Sequence, residues 1–149
     1  MDEGLGITTV GVRTNPHTLP AFVSHPSGMV GSDAILLGEF PSPRTYGCFP
    51  VILAEFVRAE KHLQLPEAIR KMTSFPAQRL GLRDRGILRD GMKADIVIFN
   101  PDSVKAPATR ENPKQFPIGI PFVIVNGTIV IDNGRHTGAL RGHALRHRR

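Results

Sequence analysis

The 149-residue chain contains a single cysteine, Cys48, no tryptophan and one tyrosine. One cysteine cannot form an intrachain disulfide, which fits a reducing compartment, so we expect a cytoplasmic protein. No apolar run exceeds four residues, which excludes a membrane-spanning helix of about 20 apolar residues. We also expect no secretory signal, because the sequence opens on the acidic stretch Met1-Asp2-Glu3.

Positive charge is concentrated towards the C-terminal end of the sequence. The formal net charge is +6, but residues 135–149 carry five arginines and no acidic residue, which leaves +1 for the other 134 residues. This basic segment holds no aromatic side chain on which nucleic-acid bases could stack. We therefore predict no nucleic-acid partner, and we interpret residues 135–149 as a solvated or docked basic tail.

The sequence before Leu82 predicts a mixture of helices and short strands. Strands are expected at 7–10 and 27–31, a loop rich in proline and glycine at 38–47, and three helices that begin at Pro50, at Leu65 and near Ser74. Each helical stretch has apolar residues at helical spacing, as Ile52, Leu53 and Phe56 show in the first.

After Leu82 the hydrophobic pattern becomes that of short strands, expected at 87–88, 94–99, 122–125 and 128–131. Asn126-Gly127 predicts a two-residue hairpin turn, and Asn133-Gly134 marks another turn. The chain therefore divides into an α/β segment, 1–82, an antiparallel β segment, 83–134, and the basic tail, 135–149. Neither structured segment makes a closed sheet alone, so each is expected to need a partner surface.

Asp33 is the first candidate catalytic residue. It follows a short apolar strand, and parallel α/β enzymes place catalytic groups at the ends of such strands. The same Gly-Ser-Asp sequence also suits a turn or a helix cap, so the residues alone leave both interpretations open.

Arg44 and Tyr46 follow in the predicted loop. The guanidinium fork of arginine binds a carboxylate through two hydrogen bonds, and tyrosine offers a hydroxyl on a rigid ring, so both could face a pocket. Alternatively, Arg44 pairs with a neighbouring acid and Tyr46 packs inside the protein.

The nearby Cys48 precedes a predicted helix, which could lower the pKa of its thiol, but no histidine partner is evident and a structural role is favoured.

The histidines do not predict a metal centre. His143 and His147 have the spacing that places two side chains on one helix face, but Ala144 stands where a zinc-protease helix has glutamate. The sequence contains no His-x-His and no Cys-x-x-Cys. A metal site built from this chain alone is therefore not expected.

Several segments together resemble the N-acyl-D-amino-acid deacylases, which are metal-dependent members of the amidohydrolase superfamily. The more specific part is the Met-Val-Gly-Ser-Asp sequence at 29–33 followed by Pro-Arg-Thr-Tyr-Gly at 43–47. Stretches 68–82, 86–99 and 125–127 resemble the helices, the return into the small β domain and the hairpin that many amidohydrolases share. The resemblance runs from about residue 25 to residue 134. The family loop often has a histidine where this chain has Ser42.

The family fold is a (β/α)₈ barrel that carries a small β-sandwich. A full barrel needs about 250 residues. The resemblance therefore implies an α/β fold class: the C-terminal part of a metal-dependent hydrolase barrel, followed by a small antiparallel β-sandwich segment. It implies as partner the missing N-terminal barrel segment or another copy of the chain.

The resemblance also implies an activity, the hydrolysis of the amide bond of small N-acyl-D-amino acids to a carboxylate and a free D-amino acid. Zinc would activate a water molecule, and Asp33 would accept its proton, return it to the leaving amine and serve as a metal ligand. Arg44 would bind the substrate carboxylate, with Tyr46 and Ser32 as further substrate-binding residues. The other zinc ligands are expected outside this chain, so the chain alone is expected to be inactive and to hold no zinc.

Two alternatives to the deacylase remain. One is a non-catalytic docking or oligomerisation module, which would use its exposed strand edges and its basic tail. The other is a different amidohydrolase branch, similar to dihydroorotases or hydantoinases, which share the β segment but lack the Pro-Arg-Thr-Tyr-Gly loop.

Overall fold

A computed structural model of the chain describes residue 15 and residues 17–145. The helices are α1 (Leu19–Ser24), α2 (Arg44–Val51), α3 (Leu65–Met72) and α4 (Ser74–Arg79). A π-helical segment, Ile52–Ala59, continues α2 without a break. The strand predicted at 7–10 lies outside the described residues.

Helices α3 and α4 form where the sequence predicts them. Helix α3 begins at Leu65 with Pro66 in its first turn, where the missing N–H leaves no hydrogen bond unmade. Helix α4 follows directly, but its N-cap is Thr73 rather than the predicted Ser74, which lies inside the helix. Gly81 comes just after α4 in a left-handed conformation, with φ of +70°, as expected for a glycine that ends a helix.

The helix predicted to begin at Pro50 begins six residues earlier. Helix α2 starts at Arg44, so the predicted loop 38–47 is wrong for its last four residues, which are helical. Pro50 lies inside the helix, where it has no N–H to donate, and the hydrogen bonding becomes π-helical two residues later. The sequence does not indicate a helix start at Arg44. Gly47 disfavours a helix in the first two turns, and a proline such as Pro50 is more typical of a first turn.

Two of the predicted strands do not form. Residues 27–31 run without a strand partner in the described part of the chain, and a hydrogen bond from the Val30 N–H to the Lys71 carbonyl, at 3.1 Å, ties them to α3. Residues 87–88 also lie outside any strand. Short apolar runs predict strands only if a neighbouring strand is present to pair with them.

The C-terminal half forms a four-stranded antiparallel sheet in the order β1-β2-β3-β4. Its strands are β1 (Ile96–Ile98), β2 (Phe122–Val125), β3 (Thr128–Asp132) and β4 (Arg135–His136). The predicted hairpin is confirmed, because Asn126 and Gly127 have φ values of +47° and +77°, both positive as a type I′ turn requires. Asn133 and Gly134 repeat this geometry between β3 and β4.

A small core joins α3 to the π-helical segment. Its buried members are Ile52, Phe56, Leu63 and Ala68. The guanidinium of Arg58 connects this helical part to the loop after β1 through a hydrogen bond of 2.7 Å to the Pro101 carbonyl. Among the described residues, no helix combines the length and the apolar character that crossing a membrane would need.

Substitution of Gly119, beside the sheet, should cost more than substitution of a glycine with open space around it. It has a φ of +82°, and a Cβ there would lie 2.7 Å from the backbone N and Cα of Val104. Gly134 has a similar φ of +77° but nothing within 4 Å of an added methyl group, so it is the matched control. We expect Gly134→Ala to cost about 1–2 kcal/mol for its backbone conformation. We expect Gly119→Ala to cost about 1–3 kcal/mol more for overpacking, as measured by urea unfolding. Equal losses in the two variants would contradict the close approach at Val104.

Candidate active site

Asp33 and Arg44 are in direct contact. The Arg44 Nη2 donates a hydrogen bond of 2.6 Å to the Asp33 Oδ2, and both side chains remain substantially exposed, at 51% for Arg44 and 78% for Asp33. Asp33 has a φ of +46°, in the left-handed region that aspartate and asparagine tolerate better than other non-glycine residues. The structure thus brings together two residues that stand eleven apart in the sequence.

The start of α2 holds the segment that carries Asp33. Arg44 is the first residue of α2, where the positive end of the helix dipole disfavours a cation, so the Asp33 carboxylate offsets an unfavourable charge. Next to it, the Thr45 hydroxyl donates a hydrogen bond of 3.4 Å to the Ile35 carbonyl. Adjacent residues of one helix therefore contact the chain at positions 33 and 35.

Tyr46 points to a different part of the molecule. It stands two residues after Arg44 in α2, and side chains at this spacing leave a helix in different directions. Its ring packs edge-on against Phe116, with ring centroids 5.6 Å apart and an interplanar angle of 69°. Ser32 is half-buried directly before Asp33. Substrate binding by Tyr46 and Ser32 stays a prediction.

An apolar cavity of about 660 Å³ lies beside Arg44. Helix α1, helix α2 and the π-helical segment contribute to its walls, together with residues 29–31 and 40–43. Arg44 and Arg110 are the charged residues that line it. Cavities with mostly apolar walls and few polar groups are typical of small-molecule sites. No pattern in the sequence points to Arg110, because it stands in a long loop without a motif.

Cys48 follows Arg44 by one helical turn and also lines this cavity. Burial raises the pKa of its thiol, and the charge of Arg44 opposes this with a smaller effect. Because α2 begins at Arg44, Cys48 lies in the body of the helix rather than just before it, so the predicted lowering by a helix start does not apply. The favoured structural role of Cys48 agrees with this raised pKa.

The described residues do not by themselves fit a zinc site. Catalytic zinc sites use three protein ligands, but residues 15 and 17–145 contain no group of three or more histidine, cysteine, aspartate or glutamate side chains placed to hold a metal ion. Of the predicted ligands, only the carboxylate of Asp33 is present, and its Oδ2 already accepts a hydrogen bond from Arg44.

Lys71 is a residue near the site that the sequence analysis missed. Its side chain is fully buried in the last turn of α3, and its Nζ donates hydrogen bonds to the carbonyl oxygens of His25 and Gly28. The sequence did hold a signal, because Lys71 follows the buried Ala68 by three residues and so lies on the apolar side of the helix.

Comparison with known proteins shows the family. Residues 20–131, which include Asp33, Arg44 and the sheet up to β3, match the sequence profile of the amidohydrolase family. The chain belongs to this family. An N-acyl-D-aspartate deacylase from Alcaligenes xylosoxydans xylosoxydans is 45% identical over 118 residues, which cover 79% of this chain and 24% of the relative.

Solved structures of amidohydrolases agree with this assignment. A D-aminoacylase with a binuclear metal centre superposes with a TM-score of 0.78 at 36% identity, over 80% of this chain and 25% of the other. An N-acyl-D-glutamate deacylase from Bordetella bronchiseptica, complexed with zinc and a phosphonate inhibitor, gives a TM-score of 0.73 at 37% identity, over 83% and 27%. The chain spans about a quarter of the length of these relatives.

The Asp33–Arg44 pair should contribute little to stability. Because both side chains are largely exposed, water and salt screen their attraction. A double-mutant cycle with Asp33→Asn and Arg44→Gln should give a coupling of about 0.2–1 kcal/mol, measured by urea unfolding. The coupling should shrink when the salt concentration rises to about 1 M, where the Debye length is about 3 Å. A coupling that high salt leaves unchanged would mean that the pair is buried.

The pH dependence of Cys48 alkylation should report its burial. A raised thiol pKa leaves less thiolate at a given pH, so the midpoint of the rate of reaction with iodoacetamide should lie at higher pH in the folded chain than in urea. Arg44→Gln should move the midpoint higher still, because it removes the charge that lowers this pKa. A folded midpoint at or below the value in urea would refute the effect of burial.

Proposed function

We propose that this chain supplies part of the active site of a metal-dependent N-acyl-D-amino-acid deacylase, which hydrolyses the amide bond of its substrate to a carboxylate and a free D-amino acid. The observation that carries the proposal is the contact between Asp33 and Arg44, with Arg44 also lining an apolar cavity. A carboxylate that can move a proton, a guanidinium that can bind an acid and an apolar space form a suitable set for an N-acyl amino acid.

Arg44 is proposed to bind the free carboxylate of the substrate. Its guanidinium already binds one carboxylate, that of Asp33, so the geometry of the fork suits such a partner. When the substrate carboxylate takes this place, the Asp33 Oδ2 loses its donor. Asp33 is then free to accept a proton from the attacking water and to return it to the leaving amine. Ser32 and Tyr46 are proposed as further substrate-binding residues.

We propose that the metal of the complete enzyme takes its remaining ligands from polypeptide outside the described residues, either an N-terminal barrel segment or another copy of the chain. In this arrangement the α/β segment, 1–82, forms the C-terminal part of a (β/α)₈ barrel. Residues 83–134, which the sheet extends by β4 at the start of the predicted tail 135–149, form part of a β-sandwich, and the remainder of 135–149 forms a basic tail. The single cysteine supports the cytoplasm as the location.

The exposed apolar segment 35–40 supports a covering polypeptide. Leu36 and Leu37 are 76% and 69% exposed, and Ile35 and Phe40 on either side are also exposed. A contiguous apolar patch is typical of a surface that another protein surface covers. The same observation favours the second candidate, a docking module without catalysis, so activity has to separate the two.

A chimeric enzyme tests the proposed function. In it, residues 20–131 of this chain replace the matching stretch of the N-acyl-D-aspartate deacylase. We expect it to hydrolyse N-acyl-D-amino acids, whereas the chain alone should show no turnover and no stoichiometric zinc. Asp33→Asn in the chimera should lower kcat by about 10²–10⁴-fold, because the proton acceptor is lost. Arg44→Ala should lower kcat/KM by about 10–100-fold, because charge-assisted hydrogen bonds to the substrate are lost.

Arg79→Ala is the matched control, because Arg79 is an exposed arginine at the end of α4, and its rate should stay within about twofold of the parent. An unchanged rate in Asp33→Asn would refute the proposed mechanism. A folded chimera without activity would favour the docking module, and preference for a cyclic amide would favour the dihydroorotase-like or hydantoinase-like branch.

A further inference from the structure

The segment that carries Asp33 has no regular secondary structure of its own. Residues 28–37 form neither helix nor strand, so no ladder of backbone hydrogen bonds fixes their position. Where this segment lies therefore depends on individual contacts to the neighbouring helices. Towards α2 these contacts come from Arg44 and Thr45 at its start and from the Cys48 thiol, which donates a hydrogen bond of 3.8 Å to the Gly31 carbonyl.

On its N-terminal side the buried contacts come from Lys71, and the Arg70 Nη2 adds an exposed hydrogen bond of 3.3 Å to the Pro26 carbonyl. The buried Nζ donates to the His25 carbonyl and, at 2.9 Å, to the Gly28 carbonyl. The backbone carbonyl of the same lysine accepts a hydrogen bond of 3.1 Å from the Val30 N–H. One residue thus holds three points of the chain between positions 25 and 30, just before Asp33.

The chemistry of this contact suits a lysine and a glycine. An ammonium group has three donors and no acceptor, which matches a site that presents carbonyl oxygens, and the Glu67 Oε1 lies 3.8 Å away to balance the charge. At Gly28 a Cβ would lie 2.8 Å from the Phe22 carbonyl oxygen and 3.5 Å from the Lys71 Nζ. The Phe22 carbonyl therefore leaves no room for a larger side chain at Gly28, while the ammonium is at ordinary contact distance.

We propose that Lys71 is a positioning residue: it fixes residues 25–30 against α3 so that Asp33, three residues further on, meets Arg44. Lys71 acts through the backbone of this segment. The proposal rests on the proposed function only where it gives Asp33 a catalytic task, and the two readouts below need no turnover.

The test compares Lys71→Met with Lys114→Met in the full chain by NMR. Methionine keeps an unbranched side chain, one atom shorter and without donors, and Lys114 is an exposed lysine that serves as the control. We expect hydrogen exchange of the Val30 amide to accelerate by about tenfold or more in Lys71→Met, because the His25 and Gly28 carbonyls lose their donor, and to stay unchanged in Lys114→Met. Amides of the β2–β3 hairpin report whether the rest of the fold is intact.

The second readout is the guanidinium signal of Arg44. The chemical shift of its guanidinium nitrogens, detected through carbon so that proton exchange does not matter, should reflect the contact with Asp33, and Asp33→Asn should move the resonance away from this position and so assign the paired signal. Lys71→Met should also lose the paired signal while the hairpin amides keep their protection. A purely structural role for Lys71, remote from Asp33, would leave the signal in place.

Gly28→Ala gives an independent test that keeps the ammonium. Its methyl group would clash with the Phe22 carbonyl oxygen, so we expect the turn to shift, the Gly28 carbonyl to leave Lys71 and both effects to appear. Gly31→Ala, with nothing within 4 Å of the added methyl, should produce neither. Retention of the Arg44 signal in a folded Lys71→Met or Gly28→Ala variant overturns the proposal. Loss of hairpin protection in both variants also overturns it, because Lys71 would then support the whole fold. Intact readouts in the parent chain with an inactive chimera would refute only the proposed function.

Discussion

The meeting of a carboxylate and a guanidinium at the start of α2 depends on how the irregular chain before Asp33 is held. The ion pair is too exposed to hold that chain in place by itself, since exposed pairs contribute only about 0.2–1 kcal/mol. The stronger constraint is the buried contact between α3 and the turn at 25–28, where an ammonium group lies among backbone carbonyls. The exposed contact between Asp33 and Arg44 therefore depends on the hydrogen bonds of the buried Lys71 ammonium.

Local chemistry explains which parts of the fold the sequence could predict. The turns at 126–127 and 133–134 follow from asparagine and glycine, which accept positive φ, and the start of α3 follows from a proline in a first turn. The start of α2 was misplaced because Pro50 suggested a beginning where the chain is already helical. The strand expected at 27–31 depends on a neighbour that the described part of the chain does not contain, and local sequence carries no information about such a neighbour.

In the candidate site, too, the sequence predicted some residues and missed others. Asp33 and Arg44 were found from short motifs and a family resemblance, and the structure places them in contact. Tyr46 stands in the same motif, but the helical geometry of α2 directs it towards Phe116. Arg110 reaches its place through the tertiary packing of a loop, for which the sequence gives no signal, and Lys71 is indicated only by its place on the apolar side of α3. A continuous motif thus locates chemistry in the sequence without saying which of its side chains converge.

The left-handed backbone of Asp33 has a practical consequence. Asparagine shares this conformational tolerance and differs from aspartate mainly in charge, so exchanging the two separates the shape of the position from its chemistry. In the proposed deacylase, such an exchange would leave Arg44 in place and slow the proton transfer that we assign to Asp33. The resulting protein would be suited to capturing uncleaved ligands from a mixture, which could then be identified by mass spectrometry.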